Sequence, residues 1–478
     1  MQKLHKERAA AILERRAADS DDDMKELVAA ISAANQVLSK GGGDAETIKA
    51  VAAAALALRA AVREGGDFPV ELDEFSRDGN MQNQMDVSRR ANARERRRAR
   101  NDVMRMPAIG SYPPIEGELD TDESDTESNA YRSQHDQLLH STKQIFGDKH
   151  EYSEFSVVVR KFYRWKKDYT SSYRDAHVSV CIPAIFSPYV RLELLKWDPL
   201  HENANFMNVK WYTLLRKYGL STDENPNSFD DADANPVQLV VKLAMAILHN
   251  RLAQCWDVFS TRETQCAVSA INLLLRRRLP STDPSYTDLV NTVHERLDKA
   301  VANLTVLVLD SLVTEAVPDA ARVAAYRFGM SLRLMSNICL FHNGGILAMA
   351  VIEELALDKL LCGKILPYLR GIQANIHDAI MRTEKVVSLT GIFAGDHSRK
   401  LQPLVDYVLE LEKGLKEKHC SFGQEIWTHF DGFSADKSGK ELVTAKSLPY
   451  LHKMLRALKE DDHAKEMSRP YFETDDPF

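Results

Sequence analysis

The chain has 478 residues, 44% of them apolar and 27% charged, with a net charge of −7. That length accommodates two or three domains or one extended helical array, and the apolar share is ordinary for a packed protein. The negative balance excludes a generic polyanion binder, and six scattered cysteines without a CxxC pair exclude a disulfide frame and a zinc finger.

The first residues, MQKLHKERAAAILERRAADSDDD, have no apolar signal core, and no uninterrupted apolar run reaches membrane-spanning length. A soluble intracellular protein with reduced thiols is expected. Residues 1–65 are alanine-rich and helix-prone, broken at SKGGGD (39–44) and stopped at Gly65-Gly66. They predict a helical hairpin or short coiled coil that buries little.

Residues 66–130 are rich in glycine, proline and charge and predict a disordered linker. Two blocks of opposite sign lie within it. The basic arm, 88–105, holds Arg89, Arg90, Arg94, Arg96, Arg97, Arg98 and Arg100, with Arg105 beyond. It suits a nuclear import address first and weak phosphate contact with RNA or DNA second, since no aromatic interleaves it for base stacking. The acidic block, 116–128, places Thr121, Ser124, Thr126 and Ser128 beside carboxylates, a setting for an acidophilic kinase.

From residue 131 to 478 the apolar spacing is helical almost throughout, and strand signals are nearly absent. The predicted class is all-α: an irregular antiparallel helical array, solenoid-like, behind the helical N-terminal segment and the charged linker. Within it, SPYVRLELLKWDPL predicts a helix that starts at Ser187-Pro188 and ends at Asp198-Pro199, with Pro183 breaking whatever precedes it. Asn235-Pro236 predicts a helix start, and Ser260 with Glu263 a capping box. A long helix should close at Asn343-Gly344, and further helices fit 346–361, 366–388, 397–418 and 444–459.

Enzyme signatures fail in turn. GGGD (41–44) lacks the lysine and hydroxyl residue of a phosphate loop, and GDHS (395–398) is three neighbours rather than a triad. His249, His294, His377 and His397 have no second histidine one turn away. The reading is therefore no catalytic residue, no metal, no cofactor and no small-molecule substrate. The aromatic set is more informative: Trp165, Trp197, Trp211 and Trp256, with Tyr169 and Tyr173, are core packing residues or anchors for a protein partner. Arg191 stands beside them as a docking candidate.

Three segments, YRWKKDYTSSYRDAHVSVCIPAIFSPYVRLELLKWDPL, NVKWYTLLRKYG and CWDVFST, resemble the core of the GC-rich sequence DNA-binding factor family. The order of the basic arm, the acidic block and the domain matches too, and the resemblance runs well over roughly residues 70–370. It implies a nuclear, helical, non-enzymatic protein linked to pre-mRNA splicing, beside a G-patch protein and a DEAH-box helicase. The same resemblance leaves a second role open, a DNA-binding transcription regulator of GC-rich promoters. It carries the signature onto Trp165, Tyr169, Tyr173, Pro183, Pro188, Arg191, Leu192, Leu195, Trp197, Pro199, Trp211 and Trp256. It also implies a long acidic region ahead of the helical part, where this chain begins.

Overall fold

A computed structural model describes residues 1–38, 125–142, 144–145, 151–202, 205–219, 236–275, 284–309, 318–393, 399–420 and 439–465, with isolated positions between 49 and 117. No strand occurs among the described residues, and the fold is all-α. Most of the expected linker and the second arm of the N-terminal hairpin lie outside the described residues.

The chain forms two compact units, the first comprising residues 1–15, 122–297 and 340–347. Its helices are α1 (Gln2–Leu38, of which the first turns belong here), α2 (Asp125–Thr142), α3 (Phe155–Asp168), α4 (Thr170–Asp175), α5 (Val178–Leu194), α6 (Lys210–Gly219), α7 (Pro236–Gln254), α8 (Thr261–Leu275) and α9 (Pro284–Asn303). Helix α3 packs on α6, α5 on α7, and α7 on both α6 and α8. An aromatic core holds them: Phe186 meets Phe155, Phe162 and Tyr218 edge-on, and Phe206 links Trp197 to Trp211. Trp256, 1% exposed, packs on Phe341 and donates its indole N–H to the Thr264 hydroxyl at 3.3 Å.

Helix α5 overturns one expectation. It runs unbroken through Pro183 and Pro188 instead of starting at Ser187. Each interior proline removes a backbone hydrogen bond and costs about 3 kcal/mol. Val178, Ile182, Phe186, Val190 and Leu194, one every four residues, are all buried. That row stabilises by about 1.5–3 kcal/mol per side chain, enough to outweigh two lost hydrogen bonds. Packing overrides the local signal.

The second unit comprises residues 16–121, 298–339 and 348–478. Its helices are α10 (Pro318–Asn343, of which residues up to 339 belong here), α11 (Met349–Glu353), a π-helix (Glu354–Ile365), α12 (Leu366–Gly371), α13 (Ile376–Thr390), α14 (Gln402–Cys420) and α15 (Gly439–Ala457). Helix α10 ends where expected, and Gly345 takes the left-handed conformation (φ 66°) that a Cβ would oppose. The expected break after 361 is absent, because the π-helix joins α11 to α12 around Leu355, Leu357, Leu360 and Leu361, all fully buried. The expected helix 366–388 is instead divided at 372–375. There the Asn375 side chain accepts from the Asp378 N–H at 3.4 Å and restarts the helix as α13. Helix α15 packs on α13 and α14.

Candidate functional site

The first unit encloses a polar cluster drawn from four elements. After α5 the chain turns through Trp197, Asp198, Pro199 and Leu200, all buried. Asp198 fixes the turn by accepting from the Leu200 N–H at 3.3 Å, and this aims His201 back at it. His201 Nδ1 lies 3.0 and 2.9 Å from the two Asp198 oxygens, and its Nε2 lies 3.4 Å from Glu263 Oε1. Helix α1 contributes His5, 4% exposed, whose Nδ1 is 2.8 Å from the Tyr131 hydroxyl of α2. Tyr131 in turn donates to Asp198 Oδ2 at 3.3 Å. The rings of His5 and His201 stack with centroids 6.0 Å apart.

Glu263 arrives by a local route. Its N–H donates to Ser260 Oγ at 3.3 Å, so the expected cap starts α8. The reciprocal half of the capping box is not made. The Glu263 carboxylate instead accepts from the Asp257 N–H at 2.9 Å and faces His201.

Electrostatics divide the two histidines. Burial alone would neutralise His201, but its hydrogen bonds to Asp198 and Glu263 outweigh that and push its pKa up to about 9. Burial likewise opposes ionisation of Asp198, and the His201 contact reverses it, holding the carboxyl well below the ordinary range. Burial raises the pKa of Glu263. His5 is driven the other way, to about 3, by burial and by the positive Arg251. At neutral pH the cluster holds the His201 imidazolium against the Asp198 carboxylate, beside a neutral imidazole at His5.

The ligating atoms of His5, Asp198 and His201 lie within 4.8 Å of one another, so these residues could meet a cation. Two features oppose that use. Both nitrogens of His201 already face carboxylates, and Arg251, itself buried, sets a positive charge against His5 and Asp198. The arrangement is that of a buried ionic clamp between α1, the 197–201 turn and α8. Its one hydroxyl, Tyr131, meets the neutral His5, but burial pushes the phenol far above its ordinary pKa and opposes its use as a nucleophile.

The site residues singled out from sequence are not members of this clamp. Trp197, Trp211, Trp256 and Tyr173 are 1–6% exposed and belong to the core. Trp165 is half-buried, against Tyr173. Tyr169, at 66%, and Arg191 reach solvent. In the basic arm, Arg89 and Arg96 are helical and exposed, whereas Arg90, Arg94, Arg97, Arg98 and Arg100 lie outside the described residues. Thr121 and Ser124 lie outside them too; Thr126 and Ser128 fall in the first turn of α2.

Sequence reasoning missed His5, Tyr131, Asp198, His201 and the second role of Glu263. Asp198 was legible only as helix punctuation and Glu263 only as a cap. The signal that could have joined them is the Asp-x-x-His spacing of WDPLH, which is also a common turn pattern.

Comparison with known proteins covers parts of both units. The model of the GC-rich sequence DNA-binding factor-like protein family matches residues 155–365. The chain is similar to "Transcriptional repressor ILP1" of Arabidopsis thaliana, 45% identical over 98% of this chain and 51% of the relative. It is similar to human "PAX3- and PAX7-binding protein 1", 27% identical over 66% of this chain and 35% of the relative. A third relative is mouse "Intron Large complex component GCFC2", 24% identical over 53% of this chain and 34% of the relative. The chain thus spans about half the length of the first of these and about a third of the others. The matched region contains the aromatic core, Asp198, His201 and Glu263, and through it this chain belongs to the GC-rich sequence DNA-binding factor-like family.

Proposed function

We propose that the chain is a non-enzymatic adaptor of a nuclear pre-mRNA splicing complex, and that helix α5 is where it grips a protein partner. One observation carries the docking reading. Opposite the buried row of α5, Val180, Ala184, Pro188, Arg191 and Leu195 form a straight solvent-facing stripe, with Val180 72% and Leu195 37% exposed. Arginine is a residue type that binding hot spots favour, and the exposed apolar side chains in line with Arg191 can exclude water around it. Arg191 is held along the stripe by its Nε–H, which donates to Ser187 Oγ at 3.3 Å. The name of the mouse relative, an intron-complex component, supports the splicing context. Family resemblance suggests a G-patch protein or a DEAH-box helicase as the partner. In this reading the arginines of 88–105 act as the import address, and Thr121, Ser124, Thr126 and Ser128 are phosphorylated to tune it.

The experiment is Arg191→Glu in the tagged full chain, read by thermal melting beside mass spectrometry of co-purified proteins. An exposed arginine changes stability by less than about 0.5 kcal/mol, whereas loss of a hot spot costs on the order of 2 kcal/mol of binding. The expected result is an unchanged melt with splicing proteins depleted; an unchanged melt with normal recovery removes α5 as the docking helix. The name of the plant relative favours a second reading, a DNA-binding transcription regulator. Small nuclear RNAs in the purified material support the adaptor, and selective enrichment of GC-rich duplex supports the regulator.

A further inference from the structure

Helices α3 and α6 carry charge that runs against the rest of the molecule. Helix α3 holds Arg160, Lys161, Arg164, Lys166 and Lys167 against Asp168, and α6 holds Lys210, Arg216 and Lys217 with no acid, in a chain of net charge −7. On α3 the positions 160, 164 and 167 fall on one line, away from the buried Phe155, Val158 and Val159. Arg160, Arg164, Lys167, Arg216 and Lys217 are all exposed. Among the described residues no carboxylate pairs with Arg164, Lys167 or Arg216. The two helices pack together, and Lys217 Nζ lies 5.7 Å from the centre of the Tyr163 ring, joining the two basic rows. Tyr163 is half-buried within the patch, and Tyr169 stands at its end with 66% of its surface open.

We propose that the α3–α6 face is a binding site for single-stranded RNA, with Arg160, Arg164, Lys167, Arg216 and Lys217 on the phosphates and Tyr169 stacking on a base. Two features select this occupant. Unpaired exposed cations in a row about 10 Å long match a phosphodiester strand. An exposed tyrosine ring beside them offers a stacking surface that a paired base inside a duplex cannot use. Arginine can also read guanine edges in a major groove, so duplex DNA is the rival occupant that the test below addresses. That the strand is RNA, not single-stranded DNA, rests on the splicing reading above; the site itself stands without it. These residues are not those of the basic arm, 88–105, whose sequence has no interleaved aromatic.

The test uses the full chain and a fluorescent 12-nucleotide uridine RNA, titrated by anisotropy between 50 and 200 mM salt. Five phosphate contacts give a slope of log affinity on log salt of about −3.5, on the order of a hundredfold loss across that range. The triple variant Arg160→Gln, Arg164→Gln, Lys167→Gln should reduce the slope by about 2, and Tyr169→Ala should weaken binding at least fivefold with the slope unchanged. Both variants change exposed residues, and an unshifted melt confirms that they fold. Wild-type affinity and slope in the triple variant overturn the site. Tighter binding to the matching single-stranded DNA overturns the RNA assignment, and tighter binding to duplex DNA or to an acidic peptide of residues 116–128 overturns the single-stranded one. Failure of the splicing reading leaves these in vitro slopes unchanged, so the two are separable.

Discussion

His201 keeps its proton because two carboxylates reach it inside a buried turn, and that fixes how the first unit responds to pH. Its folded pKa, about 9, lies above the ordinary 6.5, so its contribution is fully present below pH 6.5 and is lost as pH rises through about 9. His5 works in the opposite sense. Its folded value, about 3, lies below 6.5, so the unfolded chain takes up the proton first and stability falls as pH drops below 6.5. Asp198, held low, adds a loss at still lower pH. The neighbouring polar groups are the neutral Tyr131, His135, Arg251 and Glu263, and none reverses either sign. The clamp is therefore most stabilising near neutrality. His201→Gln leaves the buried Asp198 carboxylate without its cation and is expected to cost about 3–5 kcal/mol at pH 7. Melts from pH 5 to 10 give the check: the wild type should lose its advantage over His201→Gln between pH 7 and 9. Parallel curves across that interval would exclude a charged His201.

At the scale of elements, what is written locally was legible. The start of α7 at Pro236, the Ser260 cap of α8 and the Asn343-Gly344 end of α10 each depend on a few adjacent residues. Helix α5 was misread because its decisive feature, a row of five apolar side chains meeting α7, is a property of the packed pair. The α3–α6 basic face was missed for a related reason. In the linear text RKFYRWKK reads as one mixed run, and only helical geometry sorts Arg160, Arg164 and Lys167 from Phe162 and Trp165. The cost of the interior prolines gives a direct test of this account. Pro188 is exposed, so Pro188→Ala creates no cavity and restores an N–H that can donate to the Ala184 carbonyl. It should stabilise the first unit by about 1–3 kcal/mol. A melting temperature that stays level or falls would mean that the helix needs the proline geometry to seat its buried row.

For the whole molecule, the first unit is assembled from three separate stretches, residues 1–15, 122–297 and 340–347. This explains why the ionic clamp could not be read from sequence: its members, His5, Tyr131, Asp198, His201 and Glu263, are brought together only by long-range closure. The alanine-rich start of α1, expected to bury little, supplies a histidine that is 4% exposed, and His5, Arg8, Ala9 and Ile12 line a cleft with Cys255 and Trp256. Arg8 also covers the Tyr131 ring, its guanidinium 4.2 Å from the centroid. Removing residues 2–15 should therefore act as removal of a core piece and not as trimming of a tail. Lost burial of His5 and Ile12 and the lost His5–Tyr131 hydrogen bond are together worth on the order of 2 kcal/mol. For a unit of this size that lowers the melting temperature by roughly 5 °C. Adding a synthetic peptide of residues 1–15 should recover part of the loss, and the same peptide with His5→Ala should recover less. The two peptides separate the clamp from the apolar contacts of α1. Equal rescue by both would assign the effect to Ile12 and its neighbours, and an unchanged melt in the truncated chain would show that the first turns of α1 contribute nothing to the unit they pack in.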